Sequence, residues 1–341
     1  MIKVGIVGLG FMAATHIKAY RKLPRVRIGA LCSPSGSHLD GDFSDITGNL
    51  GGGEPLKMDM TTIKPYRIFS EMLADPEIQV IDICTPTPSH HDLTIAALAA
   101  GKHVICEKPL ARNSAEAKTI VTAAAAAKTY FMPAMCLRFW PEWAWLHAAV
   151  VEKTYGAVLD ARFRRVAQPP GWGRKAYFDG SKSGGALFDL HVHDTDFVQF
   201  CFGRPKSVFS GGYSKHSGAI DHVVTQYQVE GGAVVHAEGS WAMTEGFGFN
   251  MAYTVNFENA TADYDFQRGP EALKLYEKGL PARSVTCPGG DGYVGELGYF
   301  LHCVREGIPP KTVTAADGLC AVEICEAEEQ SIRTSMVVPL G

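Results

Sequence analysis

The chain has 341 residues, 46% of them apolar and 20% charged, with a formal net charge of -4. That length exceeds what one ordinary core serves and predicts two domains, each able to bury a core without disulfides or structural metals. Charges of both signs are spread along the chain, which argues against nucleic acid or an anionic membrane as partner, and no apolar run reaches the length of a membrane span. From the N-terminus, Ile2 to Val7 reads as a short buried strand, followed by a glycine-rich turn, a helix from about Ala13 to Lys22 and a strand near Val26 to Leu31. The alternation continues with helices near 68–73, 93–100 and 114–128 and strands at 80–84, 103–106 and 130–134. It predicts an α/β domain over residues 1–135, built on a parallel sheet covered on both faces.

From about Ala157 the texture changes to period-two segments at 158–166, 207–213, 223–229, 234–241 and 251–257, which predict an antiparallel sheet. Helices are expected over 185–202, 293–305 and 315–334, and these elements fill a second domain of 136–341 whose C-terminal helix is free to pack back on the first. Ser33 to Met60, with its run Gly48-Asn49-Leu50-Gly51-Gly52-Gly53, reads as a long loop. The nine cysteines are scattered, odd in number and without a CxxC pair. They suit a reducing compartment, and the expected location is the cytoplasm.

Gly8-Leu9-Gly10-Phe11-Met12-Ala13 is a GxGxxA pattern set directly after a strand and before a helix. In that context Gly8 permits the tight turn, Gly10 lets backbone approach a pyrophosphate, and Ala13 allows close strand-to-helix packing. Phe11 and Met12, at the helix N-terminus, join the expected cofactor contacts. The acidic residue that would hold the ribose hydroxyls of NAD about 20 positions on is missing; the strand ends in Leu31-Cys32-Ser33-Pro34-Ser35. Hydroxyls at Ser33, Ser35 or Ser37 suit a 2′-phosphate, but no arginine follows the strand, so NAD and NADP stay open with a slight lean to NADP.

Two further clusters carry chemistry. Glu107-Lys108-Pro109 follows the strand at 103–106, and a lysine past the C-terminal end of such a strand sits where open α/β sheets bind ligands; its cation can hydrogen-bond a substrate oxygen and help move a proton. Gly184-Gly185 leads to Asp189, His191 and His193, and on a helix Asp189 and His193 share one face. His193 then takes a hydroxyl proton as hydride leaves the same carbon, and Asp189 orients it or a neighbouring hydroxyl. His191-Val192-His193 is also a metal-chelate spacing, but a helix points the two rings to different faces, so no metal site is expected. Thr85-Pro86 and His90 line the expected cofactor cleft, Trp172, Arg174 and His191 are substrate candidates, and Arg138 reads first as interface packing.

These markers together, with Arg138-Phe139 and Pro141, resemble the Gfo/Idh/MocA family, named for glucose-fructose oxidoreductase, inositol dehydrogenase and a rhizopine-catabolism protein. The resemblance runs nearly end to end. It implies a Rossmann domain followed by an α+β domain with an open, mostly antiparallel sheet that often forms the contact of dimers or tetramers. It implies Lys108 at the reacting hydroxyl, His193 as acid/base, Asp189 as substrate positioner and Glu107 near the nicotinamide ribose. The activity it implies is hydride transfer between NAD(P) and a secondary alcohol of a sugar, cyclitol or related polyol. A catalytically silent NAD(P)-binding sensor and a metal-dependent hydrolase are the readings of other classes.

Overall fold

The computed structural model describes residues 1–46, 55–171 and 177–341. The chain forms two compact units: residues 1–136 with 290–319, and residues 137–289 with 320–341. The division differs from a single cut near residue 135, because the segment 290–319 returns to the first unit.

In the first unit six strands, β1 (Ile2–Val7), β2 (Val26–Cys32), β3 (Lys64–Tyr66), β4 (Val80–Ile83), β5 (His103–Glu107) and β6 (Phe131–Ala134), pair in the order β3-β2-β1-β4-β5-β6. Every pair is parallel. The strands β1, β4 and β5, buried over most of their length, take the centre. β3 contains Pro65, which lacks a donor, and it sits at the edge. That proline also hid β3 from the sequence reading. Helices α1 (Phe11–Tyr20), α2 (Phe69–Ala74), α3 (His90–Ala99) and α4 (Ser114–Ala126) connect the strands. The strand order reverses between β1 and β4, and the crevice at their C-terminal ends is where open α/β sheets take ligands. Between β2 and Met60 the described residues form no helix or strand beyond the bridge of Asp42 to Lys57; Gly48 to Gly53 lie outside the described residues.

The second unit is built on a nine-stranded open sheet in which β7 (Val158–Ala167), β8 (Ser207–Tyr213), β9 (His222–Gln228), β10 (Val234–Ser240) and β11 (Phe249–Phe257) were expected, and β12 (Ala260–Asp265), β13 (Leu273–Glu277), β14 (Arg283–Ser284) and β15 (Val338–Pro339) were not. β12 alternates perfectly between buried and half-buried positions, but its inward residues are two alanines and Tyr264, too small a signal to read from sequence. All pairs are antiparallel except β7 with β10. An unexpected helix, α5 (Pro141–Val151), has proline at its first turn and buries Trp143, Leu146 and Ala149 on one stripe. Trp143 is the centre of the core, with the rings of Phe163, Phe197, Tyr253 and Tyr264 at centroid distances of 5.9, 4.8, 5.2 and 6.0 Å.

The expected helix over 185–202 is two pieces: a π-helical turn, Leu187–His191, runs into α6 (Val192–Phe202). Two long helices follow, α7 (Gly292–Glu306), which belongs to the first unit, and α8 (Ala315–Thr334), which starts in the first unit and ends in the second. No described helix is long and apolar enough to cross a membrane.

Candidate active site

At the crevice of the first unit, Gly8 has φ of 84° and a Cβ there would stand 2.5 Å from Thr85 Cγ2 and 2.7 Å from the Thr85 nitrogen. Only glycine lets the β1 turn pass this close to the loop after β4. Gly10 differs: its φ of -100° suits any residue, and nothing lies within 4 Å of a Cβ built on it. Its lack of a side chain therefore serves no internal packing and keeps the approach to the N-terminus of α1 open. Ala13 is fully buried under that turn, and the first turn of α1 carries no acid that would repel an anion. A glycine approach and a helix N-terminus with no acid in its first turn fit a dinucleotide pyrophosphate. Phe11 and Met12 are half-buried beside it.

Opposite, Ser89 Oγ donates to Thr85 Oγ1 and to the Pro86 carbonyl, both at 2.8 Å. His90, expected to line the cofactor cleft, is 1% exposed, with Nε2 2.8 Å from the Thr85 carbonyl and Nδ1 2.8 Å from the Pro109 carbonyl. That placement corrects its role: the ring sits between the loop after β4 and the loop after β5 without facing outward, and since burial lowers its pKa the neutral imidazole donates its one N–H to one of the two carbonyls. Lys108, in the second of these loops, is half-buried, and its backbone nitrogen donates to Glu107 Oε2 at 3.2 Å.

At the end of β2, Ser33, Ser35 and Ser37 form a ladder of hydroxyls spaced at 3.1 and 3.0 Å. Sequence reasoning found no arginine to accompany them. The structure supplies one from the neighbouring edge strand: a Cβ built on Gly36 would lie 2.5 Å from Arg67 Nη2, so the guanidinium just past β3 rests against the serine loop. The signal was hidden because strand pairing, with Cys32 opposite Tyr66, brings together residues distant in the chain.

In the second unit, Gly184 and Gly185 have φ of 76° and 71°, and a Cβ on Gly185 would meet the Ile220 carbonyl at 2.4 Å. They set the entry to the π-helical turn. Asp189 and His193 are half-buried, as is Leu190, in a stretch whose other members Phe188, His191, Val192 and Asp194 are buried, and π-turns are frequent at functional sites. The acids beside them are already used. Asp194 takes Arg165 Nε at 2.9 Å, and Asp196 takes Arg138 Nε and Nη2 at 2.8 and 2.6 Å while Phe200 stacks under the guanidinium at 4.4 Å.

The expectation that His191 meets substrate needs correction. It is fully buried, with Nε2 3.1 Å from Tyr227 Oη and 3.4 Å from Glu328 Oε1, and Gly239 is packed against its ring so closely that a Cβ there would lie 2.6 Å from Nδ1. Burial alone would lower its pKa; the Glu328 carboxylate more than offsets this and raises it. Trp172 and Arg174 lie outside the described residues.

Comparison with known proteins decides the family. Residues 2–135 match the model of an oxidoreductase family with an NAD-binding Rossmann fold, and residues 143–263 match the GFO/IDH/MocA C-terminal domain. The chain belongs to the Gfo/Idh/MocA family. It is 31% identical over 291 residues to the trans-1,2-dihydrobenzene-1,2-diol dehydrogenase of Sus scrofa, covering 79% of this chain and 82% of that one. It is 24% identical over 360 residues to the myo-inositol 2-dehydrogenase of Thermotoga maritima, covering 99% and 98%. Levoglucosan dehydrogenase in complex with NADH shares the fold, with a TM-score of 0.84 at 22% identity over 100% of this chain and 99% of that one. This Gfo/Idh/MocA protein is thus a nicotinamide-dependent oxidoreductase with the two-domain architecture of its family.

Proposed function

We propose that the protein passes a hydride between a secondary alcohol of a sugar, cyclitol or related polyol and NAD(P), with Lys108, His193 and Asp189 as its working groups. The observation that carries this is the position of Lys108, one loop past the C-terminal end of β5, with His90 between that loop and the one that faces Gly8. When bound, the nicotinamide supplies the carbon that accepts or returns hydride. In the oxidising direction the carbinol C–H bond breaks, the hydride leaves with both electrons, and the hydroxyl proton departs to His193. Lys108 donates a hydrogen bond to the same oxygen and stabilises the negative charge that builds there. Asp189, the other half-buried polar group of the π-turn, holds the imidazole or a neighbouring hydroxyl. Relatives named for a cyclic diol and for myo-inositol support a ring bearing adjacent hydroxyls.

For the cofactor we favour NADP over NAD: the Ser33 to Ser37 ladder offers hydroxyl donors and Arg67 offers the cation that a 2′-phosphate needs. The nine cysteines form no disulfide and seven are buried, which supports the cytoplasm. The outward face of the nine-stranded sheet, where Phe209, Val224, Val234 and Tyr276 stay exposed, supports a homo-oligomer.

The test is calorimetric titration with NADPH and NADH, followed by turnover of trans-1,2-cyclohexanediol, myo-inositol, levoglucosan and simple aldoses. Lys108→Ala and His193→Ala are expected to lose roughly 10²–10⁴-fold in kcat with cofactor affinity retained, and Arg67→Ala to weaken NADPH while sparing NADH. A wild type that binds cofactor but turns over none of the panel replaces this reading with a nicotinamide-binding sensor.

A further inference from the structure

Behind the crevice the first unit buries an ionic cluster that the catalytic roles above do not use. His16, on α1, is fully buried; its Nδ1 lies 2.9 Å from Asp82 Oδ2 on β4, and its Nε2 lies 3.1 Å from Glu107 Oε1 at the end of β5, an ion-pair approach without hydrogen-bond geometry. Tyr20 Oη donates to the same Asp82 oxygen at 3.0 Å, and Cys84 Sγ lies 3.4 Å from Asp82 Oδ1 and 3.5 Å from His16 Nδ1. From α7, Tyr293 packs a tilted ring on His16 at 6.2 Å, and Glu296 is fully buried with neither carboxyl oxygen hydrogen-bonded among the described residues.

Charge decides how such a cluster exists. Two carboxylates in a dry interior need a cation between them, since an unpaired buried charge costs several kcal/mol or more. Burial alone would make His16 neutral; the Asp82 carboxylate beside it overcomes this and raises the ring's pKa well above its ordinary value. Glu296 goes the other way: burial first, then the Glu107 charge, push its pKa well up and keep it a neutral acid. Burial likewise keeps the Cys84 and Tyr20 protons in place.

We propose that His16 is a positioning residue: a buried cation between Asp82 and Glu107 that fixes the Glu107 carboxylate and, through its bond from the Lys108 nitrogen, the loop that presents Lys108. The inference rests on the functional reading only for its kinetic consequence. His16, Asp82 and Cys84 also place their ligand atoms within 4.8 Å of one another, close enough for a metal ion. The direct 2.9 Å contact of Nδ1 with Oδ2 and a thiol that keeps its proton favour the proton-bridged arrangement.

The experiment uses the full chain with ¹⁵N-labelled histidine, assigning His16 by its loss in His16→Gln and following the ring nitrogens from about pH 6 to about pH 9. Both nitrogens are expected to stay protonated across the range, and Asp82→Asn to bring the titration down toward neutrality. A wild-type ring that deprotonates in the neutral range overturns the proposal, as does stoichiometric metal that is lost in Cys84→Ala. With a substrate from the panel, His16→Gln is expected to lower kcat about tenfold, a usual size for a supporting shell, with little change in cofactor KM and no further loss when combined with Glu107→Gln. An unchanged kcat, or losses that simply multiply in the double variant, overturns it too. If the panel yields no substrate, the functional reading fails while the nitrogen spectra still decide the state of His16.

Discussion

The two glycines of the phosphate turn look interchangeable as letters and are not interchangeable as atoms. Gly8 is bound by its φ of 84° and by the Thr85 backbone 2.7 Å from where a Cβ would stand, whereas Gly10 faces open space in an ordinary conformation. Gly8→Ala is therefore expected to cost about 1–3 kcal/mol of strain and to lower Tm by several degrees. Gly10→Val should leave Tm close to the wild type and abolish cofactor binding by filling the approach to α1. Differential scanning calorimetry beside NADPH titration separates the two effects. The turn was legible in the sequence because its signals are contiguous: strand, glycines, small residue, helix. Arg67 and the partners of His16 were not, because each meets its site only through strand order, and no local pattern records which strands become neighbours.

Among the elements, the start of α6 carries two different jobs on one short stretch. Asp194 and Asp196 anchor Arg165 and Arg138 in the core, while Asp189 and His193 stay half-buried on the turn before and at its beginning. Both jobs use acids, so their identities alone could not divide them; the spacing of Asp189 and His193 was legible, and the arginine partners were not. Arg138 is 4% exposed and Asp196 is fully buried. Arg138→Ala strands the carboxylate and is expected to destabilise by about 3–5 kcal/mol, whereas an apolar replacement of both members, Arg138→Met with Asp196→Leu, should recover most of that loss. Urea midpoints of the two variants check this. The π-helical turn itself left no mark in the sequence, since its residues suit an α-helix equally well.

At the scale of the whole molecule, the open sheet of the second unit buries one face under α5 and α6 and leaves the other to the outside. That outward face mixes charged pairs such as Arg164 with Glu238 and exposed apolar residues such as Phe209 and Val224. Mixed composition of this kind suits an interface between copies of the chain. For the homo-oligomer proposed above, Val224→Glu, on the exposed side of β9, is expected to shift the mass seen by sedimentation velocity toward the monomer with little change in Tm; a monomeric wild type or an unchanged mass overturns it. The succession of a parallel and then an antiparallel sheet was legible from the change of period along the chain. The return of 290–319 to the first unit was not, because an amphipathic helix announces its buried stripe but not which surface will cover it.

That return sets an order of assembly. α7 closes over α1, with Gly298 against Leu23 and Tyr293 against His16, so the unit that holds β1 stays unfinished until residues 290–319 have been synthesised. Translation at about 5–20 residues per second keeps the half-built nucleotide domain waiting while residues 137–289 emerge, and the other unit in turn waits for 320–341. Each unit of the nascent protein thus closes only when its own returning segment, 290–319 for the first and 320–341 for the second, has been made.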